Sequence, residues 1–402
     1  MLNSKVIVEE AKDLLPKMIE IRRNLHMYPE LSGYEYKTAE YIAEALESLG
    51  IKTKRGVGGT GVLGFLRGKQ PGETVAFRAD MDGLPIQDRK DVLYRSRVPG
   101  VMHACGHDGH VAILLGTAMI LSRFQDELDG NVRFIFQPAE EGPGGAVSMI
   151  RDGALSDPPV DAIFGLHIWS DLPVGKVGFR SGTIFAATDD LTIKVTGKGG
   201  HGAAPHRAID AIVVSSTIVL ALQSLVSRER NPIEPVVFTI GAISGGCRPN
   251  VIADEVTMSA TLRTLSPRVR ADFLNRIERT ARGIARGMGA TCDVVVNTGY
   301  PVTVNSPDMT DFAEEAARKI IGDENIVHED FPSMGSEDFG FYLQNTRGCF
   351  MLLGAATPGR TPYPAHHPKF DFDERAMAVG AALFSQIAFS FCQAERWTPP
   401  EG

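Results

Sequence analysis

The stretch TVAFRADMD at residues 74–82 begins with a short apolar run that predicts a strand and ends in acidic residues. Similar strand-like runs recur along the first half of the chain, and a segment that is apolar on every side, VAILLGTAMIL, predicts a buried helix between them. The predicted strands are 61–66, 74–78, 132–137, 161–166 and 175–179, and the buried helix is 110–124. Strands that alternate with helices in this way predict a largely parallel sheet with helices on both faces.

The middle of the chain has a different order of elements. Between about residues 185 and 297 the sequence predicts strand, helix, strand, strand, helix and strand, which is the ferredoxin-like order. The strands are 191–196, 235–243, 255–264 and 291–296, and the helices are 208–228 and 267–288. The first pattern then resumes with helix 307–321, strand 348–353 and helix 373–391. We therefore predict one catalytic domain in two parts, 1–184 and 298–402, interrupted by an inserted domain, 185–297.

Acidic residues and histidines follow the predicted strands. In open α/β sheets, ligands bind beyond the carboxyl ends of the strands, so residues in these places are candidates for a functional site. They are Asp80, Asp82, Glu140, Glu141 and His167, joined by the loop MHACGHDGH at 102–110. Three strand ends and one loop that all carry metal-ligating residue types favour a metal site.

Each of these residues also has an ordinary explanation when it is taken alone. A single His167 fits a buried core histidine, neighbouring glutamates fit a solvated surface, and Cys105 fits a small buried side chain. A cysteine nucleophile at Cys105 also stays open, although the surrounding ligand types favour a metal-bound thiolate. The sequence GVGGTG at 56–61 matches a dinucleotide-binding pattern, but a strand and not a helix follows it, so we reject that interpretation.

Composition and charge narrow the class of protein. The 402 residues carry a formal net charge of −8, and no basic stripe is present, which argues against a nucleic-acid partner. No apolar run approaches the ~18 residues that indicate a membrane span, so we expect no membrane partner. Five scattered cysteines and an N-terminal stretch without a secretory signal pattern predict a cytoplasmic protein.

Long motifs that run nearly from end to end identify a family. They are RRNLHMYPELSGYEYKT (22–38), RADMDGLPI (78–86), MHACGHDGH (102–110), FQPAEEGPGGA (136–146), GLH (165–167), GKGGHGAAPH (197–206), RPNVI (248–252), MGSEDFG (334–340) and HHPKFDFDE (366–374). With these motifs the sequence resembles the aminoacylase/carboxypeptidase family of zinc-dependent exopeptidases and amidohydrolases, in the subgroup of hippurate hydrolase and indoleacetyl-amino-acid hydrolase. The resemblance implies a phosphorylase/hydrolase-like, mostly parallel sheet with helices on both faces, and an inserted α+β ferredoxin-like lid domain.

The resemblance also implies two divalent metal ions, with Zn, Mn, Co and Ni all open. Its ligand positions fall on Cys105, His107, Glu141, His167 and His366 of this sequence. His366 is preferred because it stands two residues before Pro368, as the family's C-terminal histidine does, while its neighbour His367 stays an alternative.

Further roles follow from the matched motifs. Glu140 takes the place of the general base, and His201 that of a donor to the tetrahedral oxyanion. The remaining positions are Asn250 and Arg263 for the substrate carboxylate, Met334 and Gly335 for the pocket, and Asp82 and Glu337 as residues that support the ligands. A solvated Arg263 on its strand is the competing interpretation for that residue.

The function that the resemblance implies is hydrolysis of the amide bond of N-acyl amino acids, with a small-molecule substrate as the partner. A metallo-dipeptidase or carboxypeptidase that acts on small peptides is the alternative. A metal-binding protein without activity is disfavoured, because such a protein would be expected to have an unreactive residue in place of Glu140. The resemblance further implies a homodimer or homotetramer, with 185–297 as a lid and dimerisation domain whose strands could form the contact between copies.

Overall fold

The computed structural model describes residues 2–357, 359 and 363–393. The chain divides into two compact units, each of which is described by itself. The first comprises the described residues within Met1–Gly182, Val304–Phe331 and Asp338–Gly402, and the second comprises Thr183–Thr303 and Pro332–Glu337. The predicted insertion, 185–297, lies inside the second unit. The short segment Pro332–Glu337, which we assigned to the catalytic domain from the sequence, also belongs to the second unit.

The first unit holds most of the regular elements. Its helices are α1 (Ser4–Met27), α2 (Tyr36–Ser48), α3 (His107–Arg123), α4 (Ala146–Arg151), α7 (Pro307–Ile321), α8 (Gly340–Leu343) and α9 (Ala376–Gln393). Its strands are β1 (Lys52–Val57), β2 (Gly61–Arg67), β3 (Gln70–Asp80), β4 (Asp129–Gln137), β5 (Ala162–Pro173), β6 (Val177–Phe179), β15 (Ile326–His328) and β16 (Gly348–Ala356). The second unit contains helices α5 (Ala211–Ser224) and α6 (Pro267–Gly287) and strands β8 (Ala187–Thr196), β9 (Gly200–His201), β10 (Val236–Gly245), β11 (Val251–Ile252), β12 (Glu255–Thr264) and β13 (Thr291–Thr298). Strands β7 (Gly182–Phe185) and β14 (Thr303–Asn305) lie where the chain passes from one unit to the other.

The first unit is built on one eight-stranded sheet with the order β1-β2-β4-β3-β5-β16-β6-β15. Its centre, β4-β3-β5-β16, is parallel throughout, and antiparallel pairs occur only where β1, β2 and β6 extend it. The predicted α/β class with a mostly parallel sheet is therefore confirmed. The GVGGTG segment forms the turn of the hairpin between β1 and β2. A strand therefore follows it, in agreement with our rejection of a dinucleotide-binding loop.

Helices cover both faces of this sheet. Successive residues of a strand point to opposite faces of the sheet, so the contacts of the neighbours Phe77 and Arg78 on β3 show what covers each face. The Phe77 ring packs 4.8 Å from Phe384 of α9. The Arg78 guanidinium lies over the ring of Phe339, the residue before α8, at 6.0 Å. The core of the unit therefore lies between the sheet and the α1, α3, α7 and α9 layer, and the opposite face carries the short helix α8.

The second unit is a four-stranded antiparallel sheet, ordered β10-β12-β8-β13, with α5 and α6 packed against it. The predicted β-α-β-β-α-β order is confirmed. By length and composition alone, the segment Ala211–Glu229 is long and apolar enough to cross a membrane. The sequence analysis had predicted no such run. Core helices pass the same test, and buried residues such as Val214, Ile218 and Leu222 pack this helix onto the unit's own core.

Two element boundaries that differ from the sequence prediction matter for the site. Helix α3 begins at His107, three residues earlier than predicted, because Gly106 takes a φ of 92° that an L side chain rarely adopts. Strand β5 continues to Pro173, so His167 lies inside the strand and not after it. Its pairing with β16 continues through His167, opposite Leu352, and this ladder holds the extra residues in the sheet.

Candidate metal centre

Six side chains with metal-ligating groups converge in the first unit, and together they include all five predicted ligands. Their donor atoms fall into overlapping groups in which all atoms lie within 4.8 Å of one another. The groups are Cys105, His107 and His167; Cys105, Glu141 and His366; and His107, Glu140 and Glu141. Cys105, His107 and Glu141 each belong to two of these groups, so the six side chains form one continuous cluster.

The His107 ring tests whether these residues fit a metal ion. Its Nε2 is buried and makes no hydrogen bond within the described part of the chain. Its Nδ1 lies 3.1 Å from Asp82 Oδ1 and 3.0 Å from the Asp82 carbonyl. The same Nε2 lies 3.8 Å from Asp80 Oδ2, beyond hydrogen-bond distance. A histidine that donates from one nitrogen to a carboxylate and leaves the other, without a hydrogen bond, among ligating groups has the arrangement of a metal ligand. The donor set therefore fits a divalent cation.

Asp82 supports two of the ligand positions at the same time. Its Oδ2 accepts hydrogen bonds from the backbone N–H of Glu141 at 3.0 Å and from Ser32 Oγ at 2.6 Å. Burial alone would raise the pKa of this carboxyl, but the hydrogen bond and charge of His107, together with the bond from Ser32, lower the pKa below its ordinary value. Asp82 is therefore an anion that fixes the His107 ring and the Glu141 backbone.

His167 presents one nitrogen to the cluster. Its Nδ1 lies 2.7 Å from the carbonyl oxygen of Ile168, to which it can only donate, so the neutral ring keeps a lone pair on Nε2. That Nε2 lies 3.3 Å from Cys105 Sγ. The backbone of β5 thus selects the tautomer that a metal ligand needs.

His366 and its neighbour His367 point in different directions. His366 has a φ of 67°, its backbone N–H donates to the Ala104 carbonyl at 2.8 Å, and its Nε2 lies 2.9 Å from Glu141 Oε1. His367 accepts a hydrogen bond from the Lys369 N–H and stacks on Tyr363 at 4.5 Å. The geometry therefore favours His366 over His367. Contacts with Cys105 and Glu141 raise the pKa of His366 to about 10.

A further group, Asp80, His107 and His110, satisfies the same distance criterion but is not a ligand set. His110 Nδ1 lies 2.6 Å from Asp80 Oδ1, and its Nε2 accepts the backbone N–H of Ile168 at 2.9 Å. Both ring nitrogens are therefore in use, and no lone pair is left for a metal. Burial lowers the pKa of His110 to about 4, which keeps the ring neutral.

Two predicted residues lie together in the second unit. His201, on β9, pairs with Val251, and the N–H of Gly202 donates to the carbonyl of Asn250 at 2.9 Å. The side chain of His201 is exposed, and its Nδ1 accepts the N–H of Ala203 at 3.1 Å. The neutral ring therefore carries its proton on Nε2, where it can donate a hydrogen bond.

The other predicted residues of the second unit meet on the segment Pro332–Glu337. Arg263, on β12, donates from Nη1 to Ser336 Oγ at 2.9 Å, so it is not the fully solvated arginine of the competing interpretation. Met334 is half-buried and Gly335 exposed, whereas the Glu337 side chain is buried. The Glu337 carbonyl accepts a hydrogen bond from Thr303 Oγ1 at 3.1 Å.

Comparisons with known proteins find relatives that match nearly the whole chain. Residues 76–390 match the model of Peptidase family M20/M25/M40. The chain belongs to this family. Among its relatives, Thermostable carboxypeptidase 2 of Saccharolobus solfataricus is 43% identical over 390 residues, covering 95% of this chain and 97% of the relative. N-acetyl-L-cysteine deacetylase of Bacillus subtilis is 39% identical over 368 residues, covering 92% and 86%.

A solved structure extends the comparison to three dimensions. The YXEP protein of Bacillus subtilis, described as a dinuclear metal binding peptidase from the M20 family, is 35% identical with a TM-score of 0.82. The match covers 95% of this chain and 99% of that one. The M20/M25/M40 membership makes the present protein an enzyme, a hydrolase, as the sequence analysis predicted.

Some residues that shape the site of this M20/M25/M40 member escaped the sequence analysis. The buried carboxylate of Glu35 accepts the N–H of Ala139 at 2.9 Å and so holds that residue at a φ of 56°, directly before Glu140. Ser32 supports Asp82, as described above. Both residues lie in the matched motif 22–38, but no periodicity or spacing marks them, because their partners are distant in the sequence.

The sequence analysis also missed a buried ion-pair network beside the site. Arg78 donates to Asp80 Oδ2 at 2.6 Å and to Asp338 Oδ1 at 2.8 Å, and the other oxygen of Asp338 accepts the N–H groups of Gly145 and Ala146, each at 3.0 Å. This chain of contacts joins β3 to the loop after Glu141. The sequence placed Arg78 and Asp338 inside matched motifs and gave no sign of their contact.

Proposed function

We propose that this enzyme hydrolyses the amide bond of N-acyl amino acids and releases a carboxylic acid and a free amino acid. In this proposal, two divalent metal ions are held by Cys105, His107, Glu141, His167 and His366. The observation that carries it is the buried Nε2 of His107, without a hydrogen bond to any described residue, inside a cluster of ligating groups. The relative described as a dinuclear metal binding peptidase supports the number of ions.

The chemistry divides between the ions and the side chains. Divalent ions held by these five residues would lower the pKa of a water toward neutrality and polarise the scissile carbonyl. Glu140 is proposed to accept the proton of that water and to deliver it to the leaving amine. Its carboxylate belongs to the same group as His107 and Glu141, within 4.8 Å. The residue is only 7% exposed, which suits a base in a dry site.

Residues of the second unit are proposed to bind the substrate. His201 would donate from Nε2 to the oxyanion, a role that the hydrogen bond at its Nδ1 supports. Arg263 and Asn250 would bind the α-carboxylate, for which a guanidinium is well suited. Met334 and Gly335 would line the pocket, and Glu337 would support it.

A peptidase that acts on dipeptides or free C-termini is the second candidate. It is favoured by the 43% identity to Thermostable carboxypeptidase 2. The N-acyl amino acid proposal is supported by the 39% identity to N-acetyl-L-cysteine deacetylase. Both reactions use the same metal chemistry and differ in the group on the acyl side of the bond.

The test is metal reconstitution followed by a substrate panel. Metal-stripped protein is loaded with Zn²⁺, Mn²⁺, Co²⁺ or Ni²⁺ and given hippurate, N-acetyl-methionine, N-acetyl-cysteine, indoleacetyl-alanine and a plain dipeptide. We expect metal-dependent release of the amino acid from an acylated substrate, and its loss in Glu140→Gln with the ions still bound. Cleavage of the dipeptide alone would support the second candidate, and failure of every metal with every substrate would refute the proposed reaction.

We also propose a homodimer or homotetramer that forms through helix α5, in a cytoplasmic protein. Ile212, Val213 and Leu220 on this helix are 44%, 53% and 74% exposed, so an apolar strip faces outward from the second unit's core. Such strips are common at contacts between copies of a chain. All five cysteines lie among the described residues and none forms a disulfide, as a reducing compartment favours.

A further inference from the structure

A fully buried arginine on α1 binds three carboxylates. Arg22 donates from Nε to Asp108 at 2.9 Å, from Nη2 to Asp371 at 2.7 Å and from Nη1 to Glu374 at 3.0 Å. Its side chain is 1% exposed, and its guanidinium lies over the rings of Tyr94 and Phe372, at 4.9 and 4.4 Å. One planar cation therefore fixes three anions in a single geometry.

The three anions belong to the two segments that carry metal-ligand candidates. Asp108 directly follows His107 at the start of α3, whereas Asp371 and Glu374 lie shortly after His366. Arg22 is 86 residues from Asp108 and 349 residues from Asp371, so the chain itself provides no short connection between these segments. The guanidinium is a cross-link between the His107 segment and the His366 segment.

A second layer of contacts reinforces this cross-link. His26, one turn after Arg22 on α1, lies with Nδ1 2.7 Å from Asp108 Oδ2. Tyr94 donates from its hydroxyl to Asp371 at 2.7 Å, and Lys90 donates to the Phe370 carbonyl at 2.9 Å. These groups therefore bind the same two ligand-bearing segments as Arg22 does.

Stability gives no sufficient reason for such a cluster. Removing several charges from water is costly, and buried ion pairs replaced by apolar side chains often leave a protein equally or more stable. A rigid, multidentate guanidinium does provide directional order, which a metal centre with ligands from distant segments requires. Groups that hold ligands in place typically change metal affinity by about 10- to 100-fold when they are altered.

We propose that Arg22 is a positioning residue for the metal centre: by binding Asp108 on one side and Asp371 on the other, it sets the distance between the His107 and His366 segments. This inference rests on the proposed two-ion function. Loss of the cross-link weakens metal binding, although Arg22 touches neither ion nor substrate. Substitution of Asp371 acts on the His366 segment alone and weakens the binding of one of the two ions more than that of the other.

The test compares Arg22→Lys with a matched control, Arg133→Lys. Lysine keeps the positive charge but cannot bind three carboxylates at once. Arg133 is also buried in the first unit, but its guanidinium donates to the backbone carbonyls of the turn at 153–157, including Ser156 and Asp157, and to neither ligand-bearing segment. Stripped proteins are titrated with Zn²⁺ against a chelator, at a temperature where circular dichroism shows that both variants are folded.

We expect Arg22→Lys to weaken Zn²⁺ binding by about tenfold or more, and Arg133→Lys to leave both dissociation constants close to those of the unaltered protein. Equal affinities in Arg22→Lys and the unaltered protein, or an equal loss in Arg133→Lys, would overturn the inference. Should Arg22→Lys not fold, Asp371→Asn and Tyr94→Phe decide: weakening of one ion supports the cross-link, and unchanged binding of both refutes it. Failure of the unaltered protein to bind two ions would instead refute the proposed function.

Discussion

The N–H of Ile168 donates a hydrogen bond to Nε2 of His110 at 2.9 Å, and this contact distinguishes His110 from the neighbouring candidate ligands His107 and His167. His110 and His107 lie one turn apart on α3 with their rings stacked at 5.5 Å. Only His107 has a buried nitrogen without a hydrogen bond among the described residues that faces the ligating groups. His110 instead ties Asp80 on β3 to the backbone of β5 beside His167.

This difference predicts opposite effects of two alanine substitutions. His110→Ala leaves the Ile168 N–H without its acceptor and Asp80 with one partner fewer, so we expect it to destabilise the protein by about 1–3 kcal/mol. It should still bind two ions. His107→Ala removes a ligand and should reduce the bound metal. Urea denaturation of the stripped proteins and metal content after dialysis measure the two effects, and a loss of bound metal in folded His110→Ala would contradict the assignment.

The carboxylate of Asp82 predicts a graded series of metal affinities. Asp82→Asn replaces one oxygen by an NH2 group, so one of the contacts with His107 Nδ1 or the Glu141 N–H is lost. We expect metal affinity to fall by about 10- to 100-fold. Ser32→Ala removes only one hydrogen bond to Asp82 and should have a smaller effect. Competition with a chelator measures both constants, and an effect of Ser32→Ala equal to that of Asp82→Asn would argue against this order.

Local sequence patterns predicted the elements well, whereas the contacts between distant side chains could not be predicted. Strand 255–264 and helix 307–321 were predicted at the bounds that the structure has, because their periodicity and flanking residues are local signals. Strand β1 escaped prediction, since KTKRGV is mostly polar and its exposed edge position needs no apolar run. Residues that the sequence placed at strand ends indicated the donor cluster, because the carboxyl ends of parallel strands meet at one edge of the sheet. His167 belongs to the cluster although it lies inside β5 and not after it.

The supporting residues have no such local signal. Glu35 binds Ala139 across 104 residues, and Arg22 binds Glu374 across 352, so their roles depend on the complete fold. The tertiary structure likewise decides that Nε2 of His110 accepts a hydrogen bond, whereas Nε2 of His107 makes none with the described residues. In the sequence, both histidines belong to the same nine-residue motif, and nothing in that motif distinguishes a ligand from a structural histidine.

The acid stability of the protein should depend on Asp88. Burial alone would raise the pKa of this carboxyl, but hydrogen bonds with His26 and with the N–H groups of Ser96 and Lys90 lower it to about 2. An acid whose pKa is lower in the folded state contributes stability above its unfolded pKa of about 3.9. That contribution is lost as the pH falls through about 2.

Urea denaturation of the stripped protein at pH 5 and pH 3 tests this dependence. We expect the free energy of unfolding to fall between these pH values by about 1 kcal/mol less in Asp88→Asn than in the unaltered protein. Asp91→Asn, an exposed position in the same loop, is the control and should behave like the unaltered protein. The same loss in Asp88→Asn and the unaltered protein would show that Asp88 is not the group responsible.

The outward strip of α5 predicts a change of oligomeric state. Leu220 is 74% exposed in the single chain, and a glutamate there would place a charge in the proposed contact between copies. We expect Leu220→Glu to shift the protein toward a monomer in sedimentation velocity, without unfolding it, because the residue lies outside the unit's core. The control, Leu93→Glu, alters a 99% exposed leucine in the first unit and should leave the assembly unchanged. A buried carboxylate without a partner costs several kcal/mol, so a contact through Leu220 could not tolerate the glutamate. The proposed contact would be refuted if the unaltered protein sediments as a monomer, or if Leu220→Glu assembles to the same extent as the unaltered protein.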